Sequence, residues 1–217
     1  MRAFRYAPPD TPLAVLHADA SLLFVDKPPG LLSVPGKGPG LADCLMARVA
    51  AAFPGARLVH RLDCDTSGVM VFARGPAVQR HLGLQFERRH VLKGYVARVA
   101  GHPAENRGTV DLPLAADWPN RPRQMVDPAR GKPARTHWRI ARREAAATRL
   151  NLFPETGRSH QLRVHMAAIG HPILGDPLYA GEAAFAAAPR LQLHAEWLEI
   201  RHPEGGAPLR VTAPCPF

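Results

Sequence analysis

The 217-residue sequence holds only three cysteines, Cys44, Cys64 and Cys215, an odd number without CxxC spacing. That excludes a disulfide framework, gives no zinc ribbon, and fits a reducing compartment. No uninterrupted apolar span is long enough to cross a bilayer. The opening "MRAFRYAPPDTPLAVLHADASLLFVDKPPG" is broken by Asp10, Asp19 and Asp26, so no signal peptide is legible. A soluble, cytoplasmic protein is the expectation. Lysine is scarce, confined to positions 27, 37, 93 and 132. Repeats, long low-complexity runs and a clear domain linker are missing as well.

What is present is arginine. The formal charge is +10, and arginine supplies nearly all of the basic side chains. A net positive surface concentrates polyanions, and the planar guanidinium fork suits phosphate and stacks on bases, so the excess leans toward nucleic acid. GC-rich codon usage produces the same excess without any partner. The apolar fraction of 46% against 21% charged residues is that of a globular chain with a real core.

Along the chain, "SLLFVDKPPGLLSVPG" reads as a strand ending at Asp26, a Lys-Pro-Pro-Gly turn and a second extended piece. Leu41, Leu45, Val49 and Phe53 are spaced for a helix over 41–53, and Pro76 opens a second helix in "GPAVQRHLGLQFERR". "VLKGYVARVAG" alternates as a strand with Lys93, Tyr95 and Ala97 on one face. "THWRI", "TRLNLF", "LQLHAEWLEI" and "LRVTA" read as further strands, and "RSHQLRVHMAAIG" as a helix ended by Gly170. Strands outnumber helices and several are joined by short turns. An α+β fold with a largely antiparallel sheet flanked by helices follows.

The segment at 101–135, rich in Pro, Arg and Gly, is the least regular, and such stretches are often binding loops. In it Trp118 stands among Arg121 and Arg123. That combination suits base stacking and phosphate contact, and suits equally a loop pinned by Trp118 in the core. "GKGPG" lacks P-loop spacing. His160, His165 and His171 do not give the same-face pair of a helical zinc site, so no metal is expected.

The stretch "LVHRLDCDTSGVMVFAR" places a polar turn between two apolar pieces, Leu58-Val59 and Val69–Phe72. By composition alone Asp63 reads as a turn former. A second dense segment, "PETGRSHQLRVHMAAIGHPILGDPLY", puts Arg158, His160, Gln161, Arg163 and His165 where a helix N-terminus can meet an anion, or on a solvated face.

Here a family is recognisable. "HRLDCDTSGVMV" resembles the HRLD-x-x-TSG signature of the RluA-type RNA pseudouridine synthases. "VDKPPGLLSVPG" is similar to their first motif, "KGYVARVAG" to the strand carrying their tyrosine, and the segment ending in "GDPLY" to their third motif. The likeness runs over about residues 21 to 215, and "GTVDLPLAADWPNRPRQ" with "GKPARTHW" points to the small dual-specificity branch acting on 23S ribosomal RNA and on the tRNA anticodon stem–loop. It implies an N-terminal extension at 1–20, one catalytic domain at 21–217 with a central cleft and no S4-like domain, a monomer, and no cofactor.

By the same resemblance Asp63 is the catalytic carboxylate, Arg163 its cationic partner and Tyr95 the tyrosine that stacks on the base. Arg61 is the candidate to fill the space of a flipped uridine, and Arg74, Arg121, Arg123, Lys132 and Arg158 to hold the RNA backbone. A carboxylate facing a base-sized pocket needs an opposite charge to stay ionised, which is the reason for the arginine. A basic, non-catalytic RNA-binding or ribosome-associated protein is the alternative that charge alone supports.

Overall fold

The computed structural model describes residues 5–217. In chain order its strands are β1 (Ala14–Ala18), β2 (Leu22–Lys27), β3 (Ala56–Leu58), β4 (Ser67–Arg74), β5 (Leu92–Ala100), β6 (Arg107–Asp111), β7 (Leu114–Ala116), β8 (Gln124–Val126), β9 (Arg135–Arg143), β10 (Ala147–Pro154), β11 (Leu193–Arg201) and β12 (Pro208–Thr212). The α-helices are α1 (Leu45–Ala52), α2 (Pro76–Glu87), α3 (Gln161–Ala168) and α4 (Glu182–Ala186). The class is α+β, and within each of the two units described below the strand pairing is antiparallel except between β4 and β11.

The chain divides into two compact units. In the first, residues 5–93 and 194–216, β4 lies beside β2 and β3 and runs parallel to β11, which pairs with β12. The unbroken apolar runs Leu22–Val25 and Val69–Ala73 are those of strands covered on both faces, and every one of these residues is buried. On one face Leu22, Phe24, Val69 and Val71 pack with Leu82 of α2 and with Leu198, Ile200 and Val211.

In the second unit, Gly94–Leu193 with Phe217, β5, β10, β9 and β6 form an antiparallel series. Their core joins Ala97, Val99, Leu150, Leu152 and Trp138 to Leu162 and Met166 of α3. A separate hairpin, β7–β8, sits on a smaller cluster of Leu114, Ala134 and Val164.

Spacing suggests a helix over 41–53, but α1 starts at Leu45. The N–H of Gly36 takes the carbonyl of Leu41 at 2.9 Å, holding Leu41 in a turn, and the thiol of Cys44 caps the helix by accepting from Ala47 N–H at 3.4 Å. The segment at 101–135 is more regular than its composition suggests, carrying β6, β7 and β8. Strands of three to five residues are too short for their alternation to be read.

Candidate active site

The polar turn opened by Arg61 and Asp63 belongs to the first unit and is held from beneath by groups that are not themselves acidic. Lys27 is fully buried, and its Nζ donates to the carbonyls of Pro28 at 2.9 Å, Leu31 at 2.6 Å and Cys64 at 2.8 Å. Gly30 N–H reaches the same Cys64 carbonyl at 3.0 Å. The Ser33 hydroxyl donates to the Leu62 carbonyl at 2.7 Å and accepts from Leu62 N–H at 3.1 Å. The "VDKPPGLLS" loop and the "HRLDCD" turn are thus one structure joined by a buried ammonium. Buried charges survive only when hydrogen-bonded in this way.

His60 finishes the job that β3 begins. β3 pairs with β4 only over Ala56–Leu58, and beyond it the His60 Nε2 accepts the Val71 N–H at 3.0 Å while its ring stacks on Phe86 at 4.8 Å. Burial, and then the charge of Lys93, push its pKa down to about 3. Burial also lowers Lys93, to about 8. After the turn, Thr66 N–H closes on the Asp63 carbonyl at 3.2 Å, and Thr66 Oγ1 is buried without a hydrogen-bond partner. Gly68 follows with φ +114°, its position for a Cβ lying 2.2 Å from the Ala195 carbonyl oxygen, so only glycine lets β4 approach β11 there. Asp63 itself is half-buried and Arg61 exposed.

The second unit carries Tyr95 and Arg163. Tyr95 lies in β5 opposite Leu152 and packs on the apolar core. Arg163 is buried in α3 and makes a two-pronged pair with the fully buried Asp176, Nε to Oδ2 at 2.8 Å and Nη2 to Oδ1 at 2.7 Å. Asp176 Oδ1 also accepts the N–H of Leu178 at 2.8 Å and of Tyr179 at 3.1 Å. The Tyr179 ring lies under two guanidinium groups, Arg163 at 5.2 Å and Arg123 at 5.3 Å. Its hydroxyl takes Gln124 N–H at 2.8 Å and meets His160 Nδ1 at 2.7 Å. Asp176, Tyr179 and Lys27 are residues that sequence reasoning did not single out, although all three lie inside the quoted motifs.

The polar face of α3 points inward. Gln161, Arg163 and His165 are all buried. Gln161 Nε2 donates to the Arg135 carbonyl and to Thr136 Oγ1, each at 3.0 Å, and its Oε1 accepts from Thr156 Oγ1 at 2.7 Å and Arg158 N–H at 3.0 Å. His165 Nδ1 meets Thr136 Oγ1 at 2.9 Å, and Nε2 donates to the Leu112 carbonyl at 3.0 Å. Burial holds the His165 pKa below its usual value. The alternation of polar and apolar residues here serves a buried network, not a solvated face.

Of the remaining arginine and lysine candidates, Arg74 belongs to the first unit and Arg121, Lys132 and Arg158 to the second. Arg74 is exposed and donates to the Asp19 carbonyl at 2.5 Å. Arg158 is half-buried, its Nε bonded to the Pro133 carbonyl at 3.1 Å. Lys132 bridges Leu114 through its backbone. Arg121 lies 4.2 Å over the ring of Trp118.

A family model described as RNA pseudouridylate synthase matches residues 21–168. The chain belongs to that family. Among its relatives, the dual-specificity RNA pseudouridine synthase RluA of Escherichia coli (strain K12) is 52% identical over 214 residues, which is 98% of each chain. The RluA of Vibrio vulnificus is 45% identical, covering 100% of this chain and 89% of that one. Two solved structures share the architecture. Human RNA pseudouridylate synthase domain containing 1 gives a TM-score of 0.80 at 28% identity, covering 97% of this chain and 87% of its own. Human RNA pseudouridylate synthase domain containing 4 gives 0.75 at 25% identity, covering 94% and 88%.

A pseudouridine synthase is an isomerase that converts uridine in RNA to pseudouridine, and that is the reaction class of this chain. The reading of its charge as that of a non-catalytic RNA-binding protein is not favoured. Among the described residues, no helix is long and apolar enough to cross a membrane.

Proposed function

We propose that this chain is a cytoplasmic, monomeric, dual-specificity enzyme that isomerises uridines in stem–loops of 23S ribosomal RNA and in the tRNA anticodon stem–loop, with residues 21–217 as its catalytic domain, 1–20 as an extension, and Asp63, Tyr95 and Arg163 as its catalytic groups. The observation that carries the reading is the 52% identity, over 98% of both chains, to a synthase described as dual-specificity.

The chemistry asks for little beyond these groups. The N1–C1′ bond breaks, the uracil turns, C5 bonds to C1′, the C5 proton leaves, and N1, freed from the sugar, takes up a proton in its place. Every atom is already in the nucleotide, so no external cofactor is needed. What is needed is a carboxylate at the sugar, as nucleophile at C1′ or as base for the 2′ proton, and Asp63 is assigned to it. Arg163 is assigned to keep that carboxylate charged, and Tyr95 to stack on the base and carry the C5 proton. A paired or stacked uridine exposes neither C1′ nor C5, so it must be flipped out at a cost of about a few kcal/mol. Arg61 is assigned to the gap it leaves. Arg74, Arg121, Arg123, Lys132 and Arg158 are assigned to the backbone contacts that recover the cost.

The test is release of tritium from C5 of labelled uridine, run separately on a ribosomal stem–loop and on a tRNA anticodon stem–loop. Intact protein is expected to release label from both, and Asp63→Asn from neither. Equal release by the variant, or none by either protein, overturns the catalytic assignment; release from one RNA alone overturns dual specificity.

A further inference from the structure

Trp118 is 69% exposed, more than any other large apolar side chain among the described residues. A single apolar side chain in water is ordinary. The mounting of this one is not. It stands at the tip of the β7–β8 hairpin, whose strands pair Leu114 with Val126, Ala115 with Met125 and Ala116 with Gln124. Above them Asp117 N–H bonds the Arg123 carbonyl, and Arg123 N–H the Asn120 carbonyl, each at 3.0 Å. Asn120 Nδ2 braces the tip by donating to both oxygens of Asp117 at 3.0 Å. The base is fixed as well: Leu114 is buried beside Ala134 and Val164, and bonds both ways to Lys132 at 3.0 and 2.8 Å. An indole on so short and closed a turn loses little freedom when something docks on it, which favours binding.

The surroundings decide what docks. Arg121 lies 4.2 Å over the Trp118 ring and is itself exposed, while Pro119 and Asn120 complete the exposed tip. A protein partner that uses tryptophan as an anchor closes an apolar patch around it, and among the described residues no other large apolar side chain of this hairpin is exposed. A ring with a guanidinium over one face is instead what a single-stranded nucleotide meets, the base on the opposite face and its phosphate on the cation.

We propose that Trp118 is a stacking platform for one unpaired nucleobase of the RNA substrate, with Arg121 holding the adjoining phosphate. This rests on the reading of the chain as an RNA-modifying enzyme and adds to it the part of the RNA that is gripped: a base of the loop, not of the stem. The hairpin is tied through Gln124 N–H to the hydroxyl of Tyr179, whose ring lies 5.2 Å from Arg163. A base on Trp118 is therefore held in fixed relation to Arg163.

The experiment compares binding of an RNA stem–loop and of a fully paired duplex of equal length, over a range of salt. Trp118→Ala is expected to weaken stem–loop binding about tenfold, the loss of one stacked base, and to leave duplex binding unchanged. Trp118→Leu is expected to behave like Trp118→Ala, and Trp118→Phe to restore most of the affinity. The slope of log affinity against log salt stays the same for all three, because no charge is lost, and falls for Arg121→Ala. Equal weakening on duplex and stem–loop, no weakening on either, or a changed oligomeric state in sedimentation overturns the proposal. Tritium release by the unaltered protein is measured alongside. Its absence would sink the enzymatic reading, while the binding comparison still decides the platform.

Discussion

Lys27 Nζ lies 2.8 Å from the carbonyl oxygen of Cys64, the residue that follows Asp63. One buried ammonium therefore ties the loop after β2 to the turn that carries the acid. Lys27→Met leaves three carbonyls without this donor and is expected to destabilise the fold by about 3 kcal/mol or more. Urea denaturation measures it. Lys27→Arg should not rescue, because the guanidinium cannot enter a site built for a single nitrogen.

Asp176 supplies the charge that offsets a buried guanidinium. Asp176→Asn keeps the shape and removes that charge, for an expected loss of about 3–5 kcal/mol. The double variant Asp176→Asn with Arg163→Met should recover part of the stability and none of the isomerisation. Recovery of both would show that the pair is scaffolding alone, and stability curves beside turnover assays separate the cases.

His60 gives the fold an acid limb. Its pKa falls from an ordinary 6.5 to about 3 through burial first and Lys93 second. Between those values the unfolded chain binds a proton that the folded chain refuses, so stability declines as pH drops through the window and the penalty is absent above it. Lys93, lowered from 10.5 to about 8, acts in the same sense on the alkaline side: stability rises as pH climbs from 8 toward 10.5. His60→Gln, which keeps an acceptor for Val71 N–H, should flatten the acid limb in urea midpoints taken across it.

Gly68 and Gly75 make an internal control. Both have φ near +115°, at +114° and +118°, but a Cβ at Gly68 strikes the Ala195 carbonyl oxygen while one at Gly75 meets open space. Gly75→Ala is expected to cost about 1–2 kcal/mol for the backbone conformation alone. Gly68→Ala is expected to cost more than that, since the parallel pairing of β4 with β11 must open as well. Thermal melts of the two variants report the difference.

β2 and β4, covered on both faces, are legible in the sequence as unbroken apolar runs, and β5 and β10 as alternating ones, because burial leaves a direct mark in each case. The hairpin under Trp118 is not: its strands are three residues long, and they are held by Lys132 just beyond β8 and by Tyr179 from much farther along the chain. The sequence left Trp118 open between core pin and exposed platform, and its 69% exposure removes the first. Arg61 and Asp63 are assigned through their motif alone, since composition reads Asp63 as a turn former. Lys27 and Asp176 escaped because what they do is set by burial, and neither composition nor spacing tells a buried charge from a solvated one. A signal did exist for Asp176: an arginine between Leu162 and Val164 in a core helix calls for a counter-ion nearby.

The hydrogen bonds around Gln161 also have a direction. The Leu112 carbonyl can only accept, so His165 carries its proton on Nε2; neutral at Nδ1, it receives the Thr136 hydroxyl proton, and that oxygen in turn receives one from the Gln161 amide. At the opposite end Arg135 N–H points to Thr156 Oγ1, whose proton goes to Gln161 Oε1. Each member has one permitted orientation, and turning the Gln161 amide over would set donor against donor at Arg158 N–H and acceptor against acceptor at the Arg135 carbonyl. The helix is thereby locked about its own axis like a key cut on one side, and the azimuth from which Arg163 leaves it is settled one turn away from Asp176's grip.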